Sequence, residues 1–336
     1  MVVGRRGRMG EDLFREKGIK TFSDDARSLD QTLSAVARDA ALVICESLFA
    51  ESVFARIARA LPLARKILHV HEEVDNDLLE QGLWQYGLQR DVATILAEFD
   101  LVIFPSEHTK AFYTPLKRNT NEFQDWLVIP NTANEQLTSY RGRMPQKFRV
   151  LQLGTVSKRK NPLLTLIAFE MFLHSHKAPD AELLFVGYRN ANDREREYVR
   201  ALRTEIRARK LMAYVTIKPT HLFTGKDLFE ASAVTLHSSS ECSPTVFLEA
   251  ALFGKMAIGP DIGGIAEIIT ENLNGHLFRY GDCATQAKLI GQLYEDRESL
   301  PQRMPRIKEQ YFDRFSNSLF FARLDAASLE AGLAKH

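Results

Sequence analysis

At 336 residues, 45% of them hydrophobic and 26% charged, the chain suits two domains with separate cores and has the balance of an ordinary globular protein. A formal net charge of +1 gives no global pull toward nucleic acid, and without an aromatic-interleaved basic stripe or a base-reading motif no nucleic-acid partner is expected. There is no run of about 18 apolar residues for a membrane span and no secretory apolar core, so membrane association is peripheral at most, and the few, dispersed Cys45, Cys242 and Cys283 predict a reducing, cytoplasmic setting.

The chain opens Met1-Val-Val-Gly-Arg-Arg-Gly-Arg8, whose Arg5, Arg6 and Arg8 read as a solvated basic tail. Ala41–Cys45, Lys66–Val70, Leu101–Phe104 and Trp126–Ile129 are short apolar runs separated by amphipathic segments, the pattern of a parallel α/β sheet. His69 and His71 flank the end of the second run, and residues at i and i+2 of a strand share a face. Arg141-Gly-Arg-Met-Pro145 reads as a linker. Beyond it, 193–210 is rich in Glu and Arg at helical spacing, a solvent-facing helix with weak ion pairs.

The richest stretch is Ser238-Ser-Ser-Glu-Cys-Ser-Pro-Thr-Val-Phe-Leu-Glu-Ala250. Before it, Ala233–His237 reads as a buried strand. Ser243 then supplies a helix N-cap and Pro244 the first helical position, Leu248, Ala251 and Leu252 an apolar face, Gly254 a left-handed C-terminal cap, and Lys255–Gly259 the next strand. In such a unit ligands bind beyond the carboxyl end of the strand, where unpaired helix N–H groups favour phosphate. Two carboxylates there, Glu241 and Glu249, would repel phosphate and so address sugar hydroxyls instead. Lys308–Leu329 reads as a closing helix. The nine histidines and three cysteines form no HExxH or CxxC spacing, so no metal centre and no cofactor is expected.

Glu-x7-Glu followed by Leu-Glu-Ala250, Gly254, Gly263-Gly264, Glu267-Ile-Ile and Asn274-Gly-His-Leu-Phe278 resembles the signature of the retaining GT-B glycosyltransferases of family 4. Leu151-Gln-Leu-Gly154-Thr-Val-Ser-Lys-Arg-Lys160 resembles the family's first strand of the nucleotide domain with its basic loop. The resemblance implies an α/β GT-B fold of two Rossmann-like domains facing across a cleft: an acceptor-side domain over 1–143, a nucleotide-sugar domain over 144–307, and a terminal helix over 308–336 crossing back to the first domain. It implies transfer of a sugar from a UDP- or GDP-sugar donor to a hydroxyl acceptor without a metal. His71 and Glu241 would serve at the reacting carbon, with His69 an alternative to His71. Glu249 would hold the ribose, and Gly154, Thr155, Arg159, Lys160, Thr245 and Val246 the rest of the donor. Thr155 stands where the family has arginine, and Lys158 or Arg159 would replace its charge.

Family members begin with a strand, a glycine-rich turn, a helix and a second strand. A unit of that kind needs on the order of 30 residues, and none is expected before residue 18, which predicts a shortened first domain. Two other readings are a nucleotide-sugar-binding remnant and an epimerase or hydrolase on the same frame.

Overall fold

The computed structural model describes residues 2–4, 21–23, 42–48, 60–74, 91–119, 124–140, 147–189 and 193–333. They form two compact units, one made of Met1–Phe104, Lys110–Val128 and Ala331–His336, the other of Pro105–Thr109 and Ile129–Glu330. The expected linker at 141–145 and the basic cluster at Arg5, Arg6 and Arg8 lie outside the described residues.

In the first unit, β1 (Val2–Gly4) and β2 (Thr21–Ser23) pair in parallel as a separate two-stranded sheet. The sequence pattern predicts no strand at residues 2–4. A four-stranded parallel sheet follows in the order β3-β4-β5-β6, formed by Leu42–Glu46, Arg65–His69, Leu101–Phe104 and Asp125–Val128. These strands match the four apolar runs within a residue at each end. All four residues of β5 are buried, as expected of a strand covered on both faces. By contrast, β3 at the sheet edge leaves Leu42 and Ile44 41% exposed. The core gathers Leu68, Val70, Phe104, Tyr113 and Trp126. The short helices α1 (Val92–Leu96) and α2 (Glu107–Tyr113) belong to this stretch of chain. Asp91 caps α1 by accepting the Thr94 N–H at 2.8 Å.

The second unit is a six-stranded, wholly parallel sheet in the order β12-β11-β10-β7-β8-β9. In chain order its strands are β7 (Phe148–Leu153), β8 (Ala181–Tyr188), β9 (Val215–Pro219), β10 (Ala233–Thr235), β11 (Met256–Pro260) and β12 (Gly275–Phe278). The chain builds outward from β7 to β9, then returns to the other side of β7 with β10. That reversal creates a topological switch point between β7 and β10, where open α/β sheets leave a crevice at the carboxyl ends of their strands. Between the strands run α3 (Pro162–His176), α4 (Asp193–Ala208), α5 (Gly225–Glu230), α6 (Thr245–Leu252), α7 (Ile265–Ile268) and α8 (Cys283–Glu295). The segment expected to face solvent, α4, buries Val199, Leu202 and Ile206 along one side, which is the stripe that fixes an amphipathic helix to a sheet.

Two boundaries differ from expectation. The closing segment is two helices, α9 (Leu300–Phe315) and α10 (Asn317–Leu333). The break at Ser316, in extended conformation, is held by long-range contacts: the Asn317 N–H donates to Glu135 Oε1 at 2.8 Å and Thr132 Oγ1 donates to Asn317 Oδ1 at 2.6 Å. Tyr311, fully buried, receives the Ala133 N–H on its hydroxyl at 3.2 Å and donates to Glu135 at 3.3 Å. The second correction concerns α6, whose N-cap is Pro244 rather than Ser243. Pro244 is extended at ψ 113, and the Ser243 carbonyl accepts from the Asn131 side chain at 3.2 Å instead of opening the helix.

Candidate functional site

At the carboxyl ends of β7 and β8 and the start of α6 lies a cavity of about 220 Å³. The backbone there requires glycine. Gly187 has φ +136, and a Cβ on it would stand 2.0 Å from the Gly154 carbonyl oxygen. Gly154, at φ +134, donates its N–H to the Val186 carbonyl at 2.9 Å. The two strand ends therefore approach closely enough to expose backbone to a ligand. Gly154, Thr155, Lys160, Thr245, Val246 and Glu249, six of the predicted donor-binding residues, line this one cavity with Leu153, Gly187, Arg189, Thr220, Phe223 and Pro244. The Thr245 and Val246 N–H groups, in the first turn of α6, have no intrahelical acceptor and favour an anion.

Glu249 carries the strongest chemical signal. Burial pushes its carboxyl up to about 7, and among the described residues no side-chain hydrogen bond or ion pair offsets that burial. A half-buried carboxyl facing a cavity and left uncompensated by the protein is suited to ligand hydroxyl groups.

Glu241 and Arg159 do not line the cavity but are joined to it through Lys160. Glu241 is 6% exposed; Lys160 Nζ lies 2.5 Å from its Oε1 and Arg159 Nη1 3.2 Å from its Oε2. Arg159 also donates to the Ser240 carbonyl at 2.7 Å. Burial lowers the Lys160 pKa, and Glu241 opposes that shift. Lys160 is thus shared, one side on the cavity with Glu249 and the other on Glu241.

The loop carrying Glu241 is clamped from two directions. At its start His237, fully buried, accepts the Gly281 N–H on Nε2 at 3.1 Å, which leaves the proton on Nδ1 to donate to Gln286 Oε1 at 2.7 Å. Gln286 donates to Thr235 Oγ1 at 2.9 Å, and Thr235 to the Ile258 carbonyl at 2.8 Å. On the other side the Gly263-Gly264 turn lies against the loop backbone. Added Cβ atoms would stand 1.9 Å from the Glu241 carbonyl oxygen and 1.8 Å from that of Cys242, and Gly264 donates its N–H to the Glu241 carbonyl at 3.0 Å.

His71 lies in the first unit, just past the end of β4, with His69. Both ring nitrogens address one oxygen, Glu46 Oε2, His69 Nδ1 at 3.1 Å and His71 Nε2 at 2.7 Å. Burial raises the Glu46 pKa, but the hydrogen bonds and charge of the two histidines outweigh it and bring it to about 2.

Sequence reasoning missed Arg189 and Glu46. Each stands at the carboxyl end of a strand, Arg189 directly after β8 and Glu46 as the last residue of β3, and that position was the available signal. Lys158 or Arg159 is expected from the sequence to replace the charge missing at Thr155. Neither lines the cavity, whereas Arg189 does. A larger cavity of about 370 Å³ lies at the opposite, amino ends of β7, β10 and β11, near Lys147, Ser232 and Lys255, away from these residues. No helix among the described residues is long and apolar enough to cross a membrane.

Residues 140–310 match the family described as "Glycosyl transferases group 1". The chain is similar to the lipopolysaccharide 1,6-galactosyltransferase of Escherichia coli (strain K12), 32% identical over 104 residues, and the matched stretch spans 29% of each protein. Among solved structures it is similar to Anabaena Alr3699/HepE in complex with UDP and glucose, with a TM-score of 0.77 at 18% identity over 95% of this chain and 89% of that one. It is also similar to sucrose-phosphate synthase (tll1590) from Thermosynechococcus elongatus, with a TM-score of 0.72 at 17% identity over 98% of this chain and 82% of that one. These similarities show an α/β fold of the GT-B type.

Proposed function

Because the chain belongs to the glycosyl transferases group 1 family, we propose that it moves a sugar, with retention of anomeric configuration and without a metal, from a nucleoside-diphosphate donor to a hydroxyl acceptor. The observation that carries this reading is the cavity in which Glu249 and Lys160 meet the first turn of α6, with Glu241 bonded to the far side of Lys160. The Anabaena protein of similar fold binds UDP-glucose, which makes UDP-sugars the first donors to try.

In this reading the ribose hydroxyls donate to Glu249, each charge-assisted bond being worth about 1.5–3 kcal/mol. The diphosphate sits on the α6 N–H groups between Lys160 and Arg189. As the glycosidic bond lengthens, the sugar gains positive and the diphosphate negative charge, and Lys160 stabilises the departing anion from a fixed position. Once the diphosphate takes part of the Lys160 charge, Glu241 is released to face the cation-like sugar, and His71 is assigned to the same sugar by family resemblance. The acceptor hydroxyl attacks from the face the diphosphate leaves and passes its proton to a departing phosphate oxygen. The two cations of the chain provide the charge that a divalent ion would otherwise supply, so a chelator is expected to leave transfer unchanged.

The test combines donor binding by calorimetry with transfer kinetics and NMR assignment of the product anomer. Glu249→Ala weakens donor binding roughly 10–100-fold, and Glu241→Ala lowers kcat roughly 100-fold or more with a smaller change in donor affinity. Donor affinity and rate unchanged in both variants, or an inverted product, would overturn the proposal.

A further inference from the structure

The cluster of Glu46, His69 and His71 has the composition and spacing of a metal site. In the β3–β4 register Glu46 stands directly opposite His69, so both side chains leave the sheet on the same face. His71 follows, its ring centroid 4.2 Å from that of His69 and tilted by 52°. The three ligand atoms lie within 4.8 Å of one another. Zinc bonds of about 2.0–2.2 Å in tetrahedral array place neighbouring ligand atoms roughly 3.4 Å apart. The observed N···O separations of 3.1 Å and 2.7 Å are shorter than that by about 0.3 Å and 0.7 Å, a gap that side-chain rotations open.

The cluster is held in place by its surroundings. His69 is 5% exposed, and its carbonyl accepts the Ser47 N–H at 2.9 Å. Ser47 Oγ donates to Glu72 at 2.6 Å, and the Tyr113 hydroxyl accepts the Val74 N–H at 2.8 Å while donating to the Glu72 carbonyl at 2.7 Å. Ligands fixed before binding lose little freedom when an ion arrives. The Glu46 side chain is 60% and that of His71 36% exposed, which leaves a coordination position open to water.

We propose that Glu46, His69 and His71 bind a divalent transition-metal ion of the zinc class. Two imidazoles with one carboxylate favour Zn²⁺, Co²⁺ and Ni²⁺ over the hard Mg²⁺ and Ca²⁺, which take oxygen ligands. Binding takes the lone pair of each ring nitrogen that now faces Glu46, so each ring carries its proton on the other nitrogen when the ion is held. A second consequence rests on the proposed function: the ring of His71 cannot hold an ion and contact a donor sugar at once, so the ion inhibits transfer while nucleotide binding in the second unit is kept.

Titration of Co²⁺ into chelator-stripped, full-length protein tests the site through visible d–d absorption, with Zn²⁺ as competitor. One equivalent is expected to give the intense band of a tetrahedral site, with displacement by Zn²⁺. Glu46→Gln, a change at an exposed side chain, and His69→Ala each weaken binding by at least about 100-fold. His276→Ala, which removes the separate His276–Glu271 contact at 2.6 Å, leaves it unchanged. Circular dichroism without metal verifies that each variant is folded. Absence of the band in the wild-type protein, or its persistence in Glu46→Gln, overturns the site. In the transfer assay Zn²⁺ inhibits the wild-type protein and a chelator restores it, whereas the transfer retained by Glu46→Gln no longer responds. Binding with unimpaired transfer upholds the site and removes His71 from the reaction. If the protein transfers no sugar at all, the cobalt titration by itself still upholds or overturns the site.

Discussion

Replacing Glu249 by glutamine tests the central carboxyl without a donor. Burial raises its pKa from 4.5 to about 7, so the folded state holds this proton more tightly than the unfolded chain does. Below pH 4.5 the carboxyl is neutral in both states and costs nothing. As pH rises through 4.5 the unfolded chain ionises first, and stability falls until the folded carboxyl also ionises near pH 7. At about 1.4 kcal/mol per pH unit, the loss across this window is at most roughly 3–4 kcal/mol, and solvent reaching the cavity reduces it. Glutamine has the same shape and no charge. Wild type and Glu249→Gln are therefore expected to melt together near pH 4 and to separate toward pH 8, the variant being the more stable. For a unit of this size the separation is roughly 2–4 °C per kcal/mol. Differential scanning calorimetry at half-unit pH steps reads it directly. Donor binding extends the test: hydroxyl groups donating to the ionised carboxylate favour it, so affinity for a UDP-sugar rises with pH and levels off near 7, with proton release below that pH. A gap between wild type and variant that does not change with pH would refute the reasoning, because the carboxyl would then be paired or solvated.

Three further outcomes follow from the geometry. Lys160→Met leaves Glu241 buried with Arg159 alone and is expected to cost about 3 kcal/mol in urea melts, the low end for breaking a buried pair, while Lys160→Met with Glu241→Gln recovers most of that stability and none of the transfer. Arg189→Gln weakens donor binding roughly tenfold, and Thr155→Arg in the same chain restores it; failure of that rescue in calorimetry would separate Arg189 from the diphosphate. Gly263→Ala forces a Cβ against the Glu241 carbonyl at a φ of +52, which displaces the loop, so kcat falls more than donor affinity does.

Strands β3 to β6 were legible because each is a short apolar run, whereas the three-residue β1 is too short to show a pattern, and the six residues that line the cavity were brought together by their motifs at a strand end and at a helix start. What the sequence did not reveal depends on distant partners. The break at Ser316 is made by Thr132 and Glu135, and no local pattern across 308–329 encodes it. Pro305 stands inside α9, where a proline removes a helix hydrogen bond and local pattern does not favour a helix. Pro244 was read correctly as a helix start but one position off, because its own extended ψ delays the first turn. Arg189 lacks a motif, and its value emerges only when β7 and β8 are placed side by side. Metal-ligand motifs are recognised by spacing within one segment, whereas Glu46 and His69 meet by strand register, which sequence separation conceals.

The buried Tyr311 hydroxyl also determines where the molecule can be divided. Its partners Ala133 and Glu135, with Thr132 on Asn317, make the chain from Ile129 onward part of the second unit. A fragment begun at β7 would remove those partners and leave a phenol and a helix end stranded in the protein interior. Anyone isolating the second unit for crystallisation or NMR should cut upstream of Ile129, and a protease that trims only to residue 147 would destabilise a unit whose sheet it never touches.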